Sequence, residues 1–234
     1  MGIEDFVSHA LATLHSPAFL AEHHDAMLRE WPRIPLSYDS KAVEASVELG
    51  RMLSQLLNAQ SNVVLTGSWS FAARLVVGNQ SDIDQALTIN AGWGSRGKEG
   101  VVMPREGRLT VRPWTEVELE KLTTLAAAQT PKALDLEAAL ALLGDTCVDV
   151  FLNGNTCWVA VPAKVWEYTL GGYQVLKKWL SYREFTLLGR PLHAEESDYF
   201  AQVVRRITAI LLLSPALDAS YQAILPTAVG RPKP

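Results

Sequence analysis

The sequence contains little cysteine and no long apolar run. Only two cysteines, Cys147 and Cys157, occur among 234 residues. They flank a predicted hairpin in which an Asn153-Gly154 turn places Val150 opposite Cys157, so we expect no disulfide between them. No stretch of about 18 apolar residues is present, which argues against a membrane-spanning helix. Acids near the N-terminus are unlike the basic start of a signal peptide, and we therefore expect a cytoplasmic protein.

Motifs of the common catalytic classes are also missing. The sequence has no nucleophile elbow, no HExxH and no P-loop. The glycines at positions 92, 94 and 97 have GxGxxG spacing, but they lack the strand-to-helix context of a dinucleotide-binding turn. The Asp/Asn-Pro-Pro-Tyr/Phe tetrapeptide is absent as well. Five histidines are scattered along the chain, and none pairs with a cysteine at zinc-finger spacing. We therefore predict neither a catalytic residue nor a metal site.

The chain has no overall positive charge, but its charges are unevenly distributed. The net charge is -4, which argues against a protein that coats nucleic acid nonspecifically. Residues 91–113 and 164–190 each contain five bases and two acids, a net charge of +3. Residues 1–40 (two bases, six acids, -4) and 114–150 (two bases, seven acids, -5) are acidic. The ten bases are Arg96, Lys98, Arg105, Arg108, Arg112, Lys164, Lys177, Lys178, Arg183 and Arg190. Only the two basic segments are suited to DNA contact.

Local patterns predict an α+β fold with a helical N-terminal extension, a central β-rich recognition region with a glycine-rich loop, and a C-terminal hairpin and helices. Predicted helices cover about 4–14, 17–31, 40–57, 115–128, 134–143, 173–184 and 195–213, with a short turn through Trp166. Predicted strands cover about 63–65, 85–89, 100–103, 109–111, 147–152 and 156–161. Capping signals are Ser16 before Pro17, Asp39 or Ser40, and Thr115 with Glu118. No repeat or obvious linker divides the chain.

One pattern suggests a metal-dependent nucleotidyltransferase. A Gly-Ser pair at positions 67–68 is followed by Asp82 and Asp84, and two such carboxylates on one strand face could hold magnesium ions. Asp149, in an apolar strand, would be a candidate third carboxylate. The alternative, which we favour, is that Ser81 and Asp82 form a turn by bonding nearby backbone amides.

The glycine-rich segment 92–100 has no strand-to-helix context for a phosphate cradle. Its glycines permit a tight or flexible loop that places Arg96 and Lys98 close to a ligand. The sequence thus favours a DNA-contacting loop here, and the alternative is a purely structural hairpin connection.

A second glycine pair, Gly171-Gly172, precedes a predicted basic helix. The glycines permit a sharp turn into the helix, whose first amides would be free to bind a phosphate near Tyr173 and Gln174. Helical spacing predicts that Lys177, Lys178 and Arg183 point outward. The alternative is a solvated basic face beside a core tryptophan.

Several stretches together resemble the C-terminal specificity region of type ISP restriction-modification enzymes. They are LHSPAF (14–19), WPRIPL (31–36), AGWGSRGKEGVVMP (91–104), VWEYTLGGYQVLKKWLSYRE (165–184) and LLGRPL (187–192). The GGYQVLKKWL run is the most specific of these, and the similarity covers nearly the whole chain. In this family one polypeptide combines nuclease, helicase, adenine methylase and DNA-recognition parts.

The resemblance implies a connector over residues 1–60, which follows the methylase domain, and a DNA target-recognition domain over 61–230. It also implies two kinds of partner. One is double-stranded DNA, and the other is the methylase and helicase-nuclease parts of a phage-defence system. The methylase's S-adenosylmethionine loop and active-site motif are missing here, so we expect a fragment, a split gene or a remnant that is not an enzyme by itself. S-adenosylmethionine is expected on the missing methylase domain.

The candidate DNA-binding residues follow from local charge and this resemblance. They are Trp93, Arg96, Lys98, Arg105, Tyr173, Gln174, Lys177, Lys178 and Arg183. Arg96, Lys98, Lys177, Lys178 and Arg183 are expected to contact phosphates, and Gln174 and Arg105 to read bases. The competing interpretations are the nucleotidyltransferase, which uses Asp82 and Asp84, and a non-catalytic adaptor that docks on a methylase or helicase.

Overall fold

The computed structural model describes residues 2–60, 71–78, 82–129 and 131–228. It has mixed helices and antiparallel sheets, which confirms the predicted α+β class. Two compact units form: Met1–Val64 with Thr130–Lys132 and Leu212–Pro234, and Leu65–Gln129 with Ala133–Leu211. The predicted strand at 63–65 and the C-terminal tail at 231–234 lie outside the described residues. The functional boundary near residue 60 stays a prediction.

The first unit begins with three helices that the sequence signals place well. They are α1 (Ile3–Leu14), α2 (Pro17–Met27) and α3 (Ser40–Leu57). The Ser16 hydroxyl accepts a hydrogen bond from the Phe19 amide, and the Asp39 carboxylate accepts from the first amides of α3, so both predicted caps are confirmed. The second helix ends at Met27, earlier than the predicted end near Trp31.

The second unit contains most of the remaining elements. Its first half comprises β1 (Arg74–Val77), α4 (Ile83–Ala86), β2 (Gly94–Arg96), β3 (Val102–Pro104), β4 (Leu109–Pro113), α5 (Glu116–Ala127) and α6 (Leu136–Leu143). Its second half comprises β5 (Thr146–Phe151), β6 (Thr156–Pro162), α7 (Ala163–Trp166), β7 (Thr169–Leu170), β8 (Tyr173–Gln174), α8 (Val175–Ser181) and α9 (Phe185–Leu188). The long helix α10 (Ala194–Ile224) contributes residues to both units.

The central sheet is antiparallel, with strand order β1-β6-β5-β4. The predicted β5–β6 hairpin is confirmed, but Phe151 rather than Val150 lies opposite Cys157. The register differs because residues 152–155 connect the strands, instead of a two-residue Asn153-Gly154 turn. Both cysteines are free, as predicted, and burial raises the pKa of the Cys147 thiol to about 12.

The segment Gln85–Ile89 does not form the predicted strand. Its first residues lie in α4, which the Asp82 carboxylate caps by accepting a hydrogen bond from the Asp84 amide at 2.9 Å. The buried Asn153 amide then donates to three main-chain carbonyl groups of the same segment, at 3.0–3.2 Å. These non-local hydrogen bonds replace strand pairing, and Asp82 bonds a local amide, as the turn alternative predicted.

Arg112 links the central sheet to α5. Its guanidinium donates to both carboxylate oxygens of Glu118 at 2.8 Å and to Asp149 at 2.9 Å. Glu118 also completes the predicted capping box with Thr115, which is therefore confirmed. Burial alone would raise the pKa of Glu118, but the Arg112 and Thr115 hydrogen bonds lower it to about 2. The guanidinium of Arg112 is thus occupied by contacts within the fold.

The helix α10 is longer than predicted. Of its predicted stripe, Phe200, Val204, Ile207 and Ile210 are buried, and Val203 and Leu211 are half-buried. Among the described residues, only the stretch Ala194–Thr227 has the length and composition of a membrane-crossing helix. A core helix of a soluble protein meets the same criteria, and 61% of its apolar window is buried. The cytoplasmic location stays a prediction.

Candidate nucleic-acid interface

The glycine-rich segment forms a hairpin. Strands β2 and β3 pair from Gly94 opposite Pro104 to Arg96 opposite Val102. The Gly97 amide closes the connecting turn by donating to the Val101 carbonyl at 2.7 Å. Arg96 and Lys98 are exposed at this turn, as the loop prediction required. We call residues 92–107 the glycine hairpin.

Trp93 anchors the base of the glycine hairpin in the core. Its side chain is 0% exposed, its indole N–H donates to the Phe151 carbonyl at 2.7 Å, and its ring packs edge-on against Trp166 at 5.3 Å between centroids. A side chain at Gly107 would overlap the Trp93 ring, and Gly107 has a φ of +65°. The predicted DNA contact of Trp93 is therefore corrected: its ring offers no surface to a ligand.

A buried carboxylate fastens the start of the glycine hairpin to the chain after α8. Glu184 is 5% exposed and accepts hydrogen bonds from the Trp93 amide at 2.8 Å and the Gly92 amide at 3.3 Å. Burial raises the pKa of Glu184, although these main-chain amides oppose the shift. The interaction joins residues that are 91 positions apart in the sequence.

Close backbone packing completes this connection. A Cβ atom at Gly94 would lie 2.0 Å from the Ser181 carbonyl oxygen at the end of α8, so only glycine fits there. The helix α8 packs against both β2 and β3. The two basic segments, separate in the sequence, therefore belong to one packed substructure.

The entrance to α8 differs from the prediction. Tyr173 and Gln174 lie in β8, which pairs with β7, and the two glycines Gly171 and Gly172 form the hairpin turn with φ of +58° and +82°. The helix starts only at Val175, whose amide donates to the Tyr168 carbonyl at 3.1 Å. The predicted helix start at Tyr173 is therefore wrong, because the chain uses the glycines for a β-turn, and a phosphate contact near Tyr173 and Gln174 stays a prediction.

Lys178 is held between two tyrosine rings. Its ammonium nitrogen lies 4.7 Å from the centroid of Tyr173 and 4.9 Å from that of Tyr182. Tyr173 is 58% exposed and Tyr182 47% exposed. This cation–π arrangement orients an ammonium group at the surface of the protein. We call Tyr173, Lys178 and Tyr182 the lysine–tyrosine cluster.

Arg183 is used within the fold. Its guanidinium carbon lies 4.0 Å above the Trp179 ring, and its Nε lies 3.5 Å from the Glu196 carboxylate. Arg190 binds the other oxygen of Glu196 at 2.7 Å. The ammonium of Lys164 donates to the Ala141 carbonyl at 2.6 Å. Three bases of the second segment are thus engaged by the fold, and the outward position predicted for Arg183 is not observed.

Of the remaining predicted cations, Arg96, Lys98 and Arg105 are exposed and Lys177 is half-buried. Arg96, Lys98 and Lys177 make no ion pair with any residue that the structure describes. Arg105 is exposed, and its Nε donates to the Ser95 hydroxyl at 2.7 Å. Gln174 donates to the Trp166 carbonyl at 3.4 Å. DNA contacts by these residues stay predictions.

Sequence reasoning missed Glu184 and Tyr182 as members of this region. The resemblance included both residues in its longest stretch, but nothing local indicates that Glu184 binds a distant main chain. An acid in an otherwise basic, aromatic segment was the available signal for Glu184. For Tyr182, its spacing of four residues from Lys178 was the available signal.

Two of the three carboxylates proposed for metal binding, those of Asp82 and Asp149, have other partners. Asp82 caps α4, and Asp149 binds Arg112 and also accepts from the Ala160 amide at 3.0 Å. Among the described residues, no group of three His, Cys, Asp or Glu side chains is arranged to hold a metal ion. The Gly-Ser pair at 67–68 and Ser81 lie outside the described residues.

A cleft of about 550 Å³ lies within the first unit. Its charged lining consists of Asp5, Glu44, Glu48 and Arg51, and Arg51 already pairs with Asp5 and Glu48. The acids outnumber the base, so this cleft repels phosphate groups and is not suited to DNA.

The family model for the type ISP C-terminal specificity domain matches residues 1–205. No curated protein and no solved structure matches the chain. The match spans the helices α1, α2 and α3, the glycine hairpin and the lysine–tyrosine cluster. The predicted resemblance is confirmed, and the chain belongs to the family of type ISP C-terminal specificity domains.

Proposed function

We propose that this chain recognises a specific sequence of duplex DNA, as the specificity part of a type ISP restriction-modification enzyme that methylates adenine at N6. The observation that carries the proposal is the packing of the glycine hairpin against α8. This packing assembles residues from both +3 segments into one substructure. Family membership supports the target-recognition role.

Phosphate contacts position the domain on DNA. Arg96, Lys98 and Lys177 have no acid partner among the described residues, and Lys178 is oriented by two tyrosine rings. Such cations bind phosphates and release counterions, which gives affinity without sequence information.

Base contacts supply specificity. The Ser95 hydroxyl fixes the Nε of Arg105, while the two terminal nitrogens of this guanidinium bind no described residue. An arginine held in this way can donate two hydrogen bonds to the O6 and N7 atoms of guanine. Gln174 is the candidate for an adenine contact, through its amide group.

Methylation belongs to a partner part of the system, which binds S-adenosylmethionine. Residues 1–40 are the docking surface for this methylase part or for the helicase-nuclease part. They are acidic, and they expose Ile3 (86%), Leu28 (74%) and Trp31 (91%). Exposed apolar side chains on an acidic segment suit a protein partner better than DNA.

Fluorescence anisotropy with a randomised duplex pool tests the proposal. The full chain is titrated at two salt concentrations, and the bound fraction is sequenced. We expect salt-sensitive binding and one enriched short motif. Absence of binding at low salt, both alone and with the methylase part added, would contradict DNA recognition.

A matched pair of arginine variants sharpens this test. Arg105→Ala should relax the preference at one base pair by about 10- to 100-fold, the range expected when one bidentate contact is lost. Arg33→Ala is the control, because Arg33 is an exposed arginine of the first unit that pairs with Glu30. An unchanged motif in both variants would remove Arg105 from base reading.

A further inference from the structure

The β7–β8 hairpin ends in an exposed apolar pair. Leu170 and Tyr173 face each other across the strands and are 69% and 58% exposed. The turn between them consists of Gly171 and Gly172, and a Cβ atom at either glycine would meet nothing within 4 Å. The tip is therefore narrow and projects into open space.

The base of this hairpin is firmly held. The Val175 amide donates to the Tyr168 carbonyl, and the Gln174 side chain donates to the Trp166 carbonyl. Trp166 is 7% exposed and packs against the buried ring of Trp93. A short hairpin anchored on both sides keeps its tip in place when the tip is pressed against a ligand.

Positive charge lies directly beside the apolar tip. The ammonium of Lys178 lies 4.7 Å from the Tyr173 ring, and Lys177 is the preceding residue. Between positions 164 and 178 the only acid is Glu167. Duplex DNA presents phosphates next to the apolar faces of its stacked bases, so it matches this combination of groups.

We propose that the tip formed by Leu170, Gly171, Gly172 and Tyr173 is a wedge that enters a base step of bound duplex DNA. This inference rests on the proposed function. Leu170 replaces part of the lost base stacking, the Tyr173 ring stacks on an exposed base, and Lys177 and Lys178 bind the flanking phosphates. The bare glycine turn fits a narrow groove because it has no side chains.

Base unstacking in the complex with the full chain tests the wedge. The duplex contains the motif enriched from the randomised pool, with each adenine replaced in turn by 2-aminopurine, whose fluorescence rises on unstacking. Permanganate reactivity reports unstacked thymines in the same duplex. We expect one step to open with the wild-type chain.

The Leu170→Ala/Tyr173→Ala double variant should reduce this opening at least about tenfold, whereas affinity falls by a smaller factor because the phosphate contacts remain. Tyr173→Phe should retain the opening, because it keeps the ring. Val117→Ala is the matched control, since Val117 is 58% exposed on α5.

The outcomes separate the two proposals. DNA binding without any opened step overturns the wedge and leaves the proposed function standing. An opened step that persists in the double variant also overturns it, because the tip would then not cause the opening. A wild-type chain that binds no duplex, alone or with its methylase part, overturns both.

Discussion

A single residue, Glu184, fastens the start of the glycine hairpin to the chain after α8. The Glu184 carboxylate accepts hydrogen bonds from the buried Trp93 amide and from the part-buried Gly92 amide, and an unsatisfied buried amide is costly. The same carboxylate is itself disfavoured there, because burial raises its pKa. For the stability of the fold, the ability of this side chain to accept hydrogen bonds therefore matters more than its charge.

Glu184→Ala should lower the free energy of unfolding by about 1–3 kcal/mol, because it leaves the buried Trp93 amide without an acceptor. Glu184→Gln should recover part of this loss, since its single carbonyl oxygen can still accept from the Trp93 amide, whereas its NH2 group cannot accept from Gly92. Urea unfolding monitored by tryptophan fluorescence measures both variants. An alanine variant as stable as the wild type would contradict the role of Glu184.

The stability of the fold depends on pH through Glu184, and the direction of this dependence follows from its pKa. A raised pKa in the folded state means that protonation of Glu184 stabilises the fold, so stability linked to this group increases as pH falls through its folded pKa. Any difference between the wild type and Glu184→Gln should shrink over that range. Glu167→Ala is the control, because Glu167 is exposed.

At the scale of elements, α5 is attached to the central sheet through its first turn. Thr115 and Glu118 form a capping box from local residues, and Arg112 joins Glu118 to Asp149 of β5. The helix start therefore depends on local capping and on the two ion pairs of Arg112. Both pairs are part-buried, with side chains 14–24% exposed, which distinguishes them from surface salt bridges.

Glu118→Gln should lower the free energy of unfolding by about 1–3 kcal/mol at pH 7, because Arg112 loses a charged hydrogen-bond acceptor. The folded pKa of Glu118 is about 2 against an ordinary value of 4.5. Its stabilising contribution is therefore present above pH 4.5 and is lost as pH falls toward 2.

Denaturant unfolding at several pH values measures this effect. The difference between the wild type and Glu118→Gln should disappear at the acidic end. Glu116→Gln is the control, because it removes an exposed acid from the same helical turn. If Glu116→Gln is as destabilising as Glu118→Gln, the helix dipole rather than Arg112 explains the result.

On the scale of the whole molecule, the net charge of -4 hides a local group of three cations that make no ion pair with any described residue. Arg96 and Lys98 lie on the glycine hairpin, and Lys177 lies on α8, which packs against it. DNA affinity that depends on these residues should vary with salt according to the number of phosphates they neutralise.

The triple variant Arg96→Ala/Lys98→Ala/Lys177→Ala should reduce the slope of log affinity against log salt concentration by about 0.9 for each lost phosphate contact. The control variant Lys41→Ala/Lys121→Ala/Lys132→Ala removes the same charge from exposed positions outside the glycine hairpin and α8. Anisotropy titrations over a series of salt concentrations give both slopes. Equal slopes for the two variants would show that net charge alone governs binding.

The sequence by itself determined the features that depend on neighbouring residues. Ser16 before Pro17, Asp39, and Thr115 with Glu118 predicted helix starts because capping bonds span only two or three positions. The β5–β6 hairpin and the separation of basic from acidic segments were also predicted, because both depend on residues that are close together in the sequence. The family resemblance was readable because its stretches are long and contiguous.

Only the tertiary structure decided which of these residues remain available. Trp93 is buried because the Phe151 carbonyl, the Trp166 ring and Gly107 surround it, and none of these contacts follows from local spacing. Arg183 is engaged by Glu196, and the Gln85–Ile89 segment takes its hydrogen bonds from distant Asn153 rather than from a strand. Contacts between residues far apart in sequence satisfy buried polar groups, and that requirement overrides local preference.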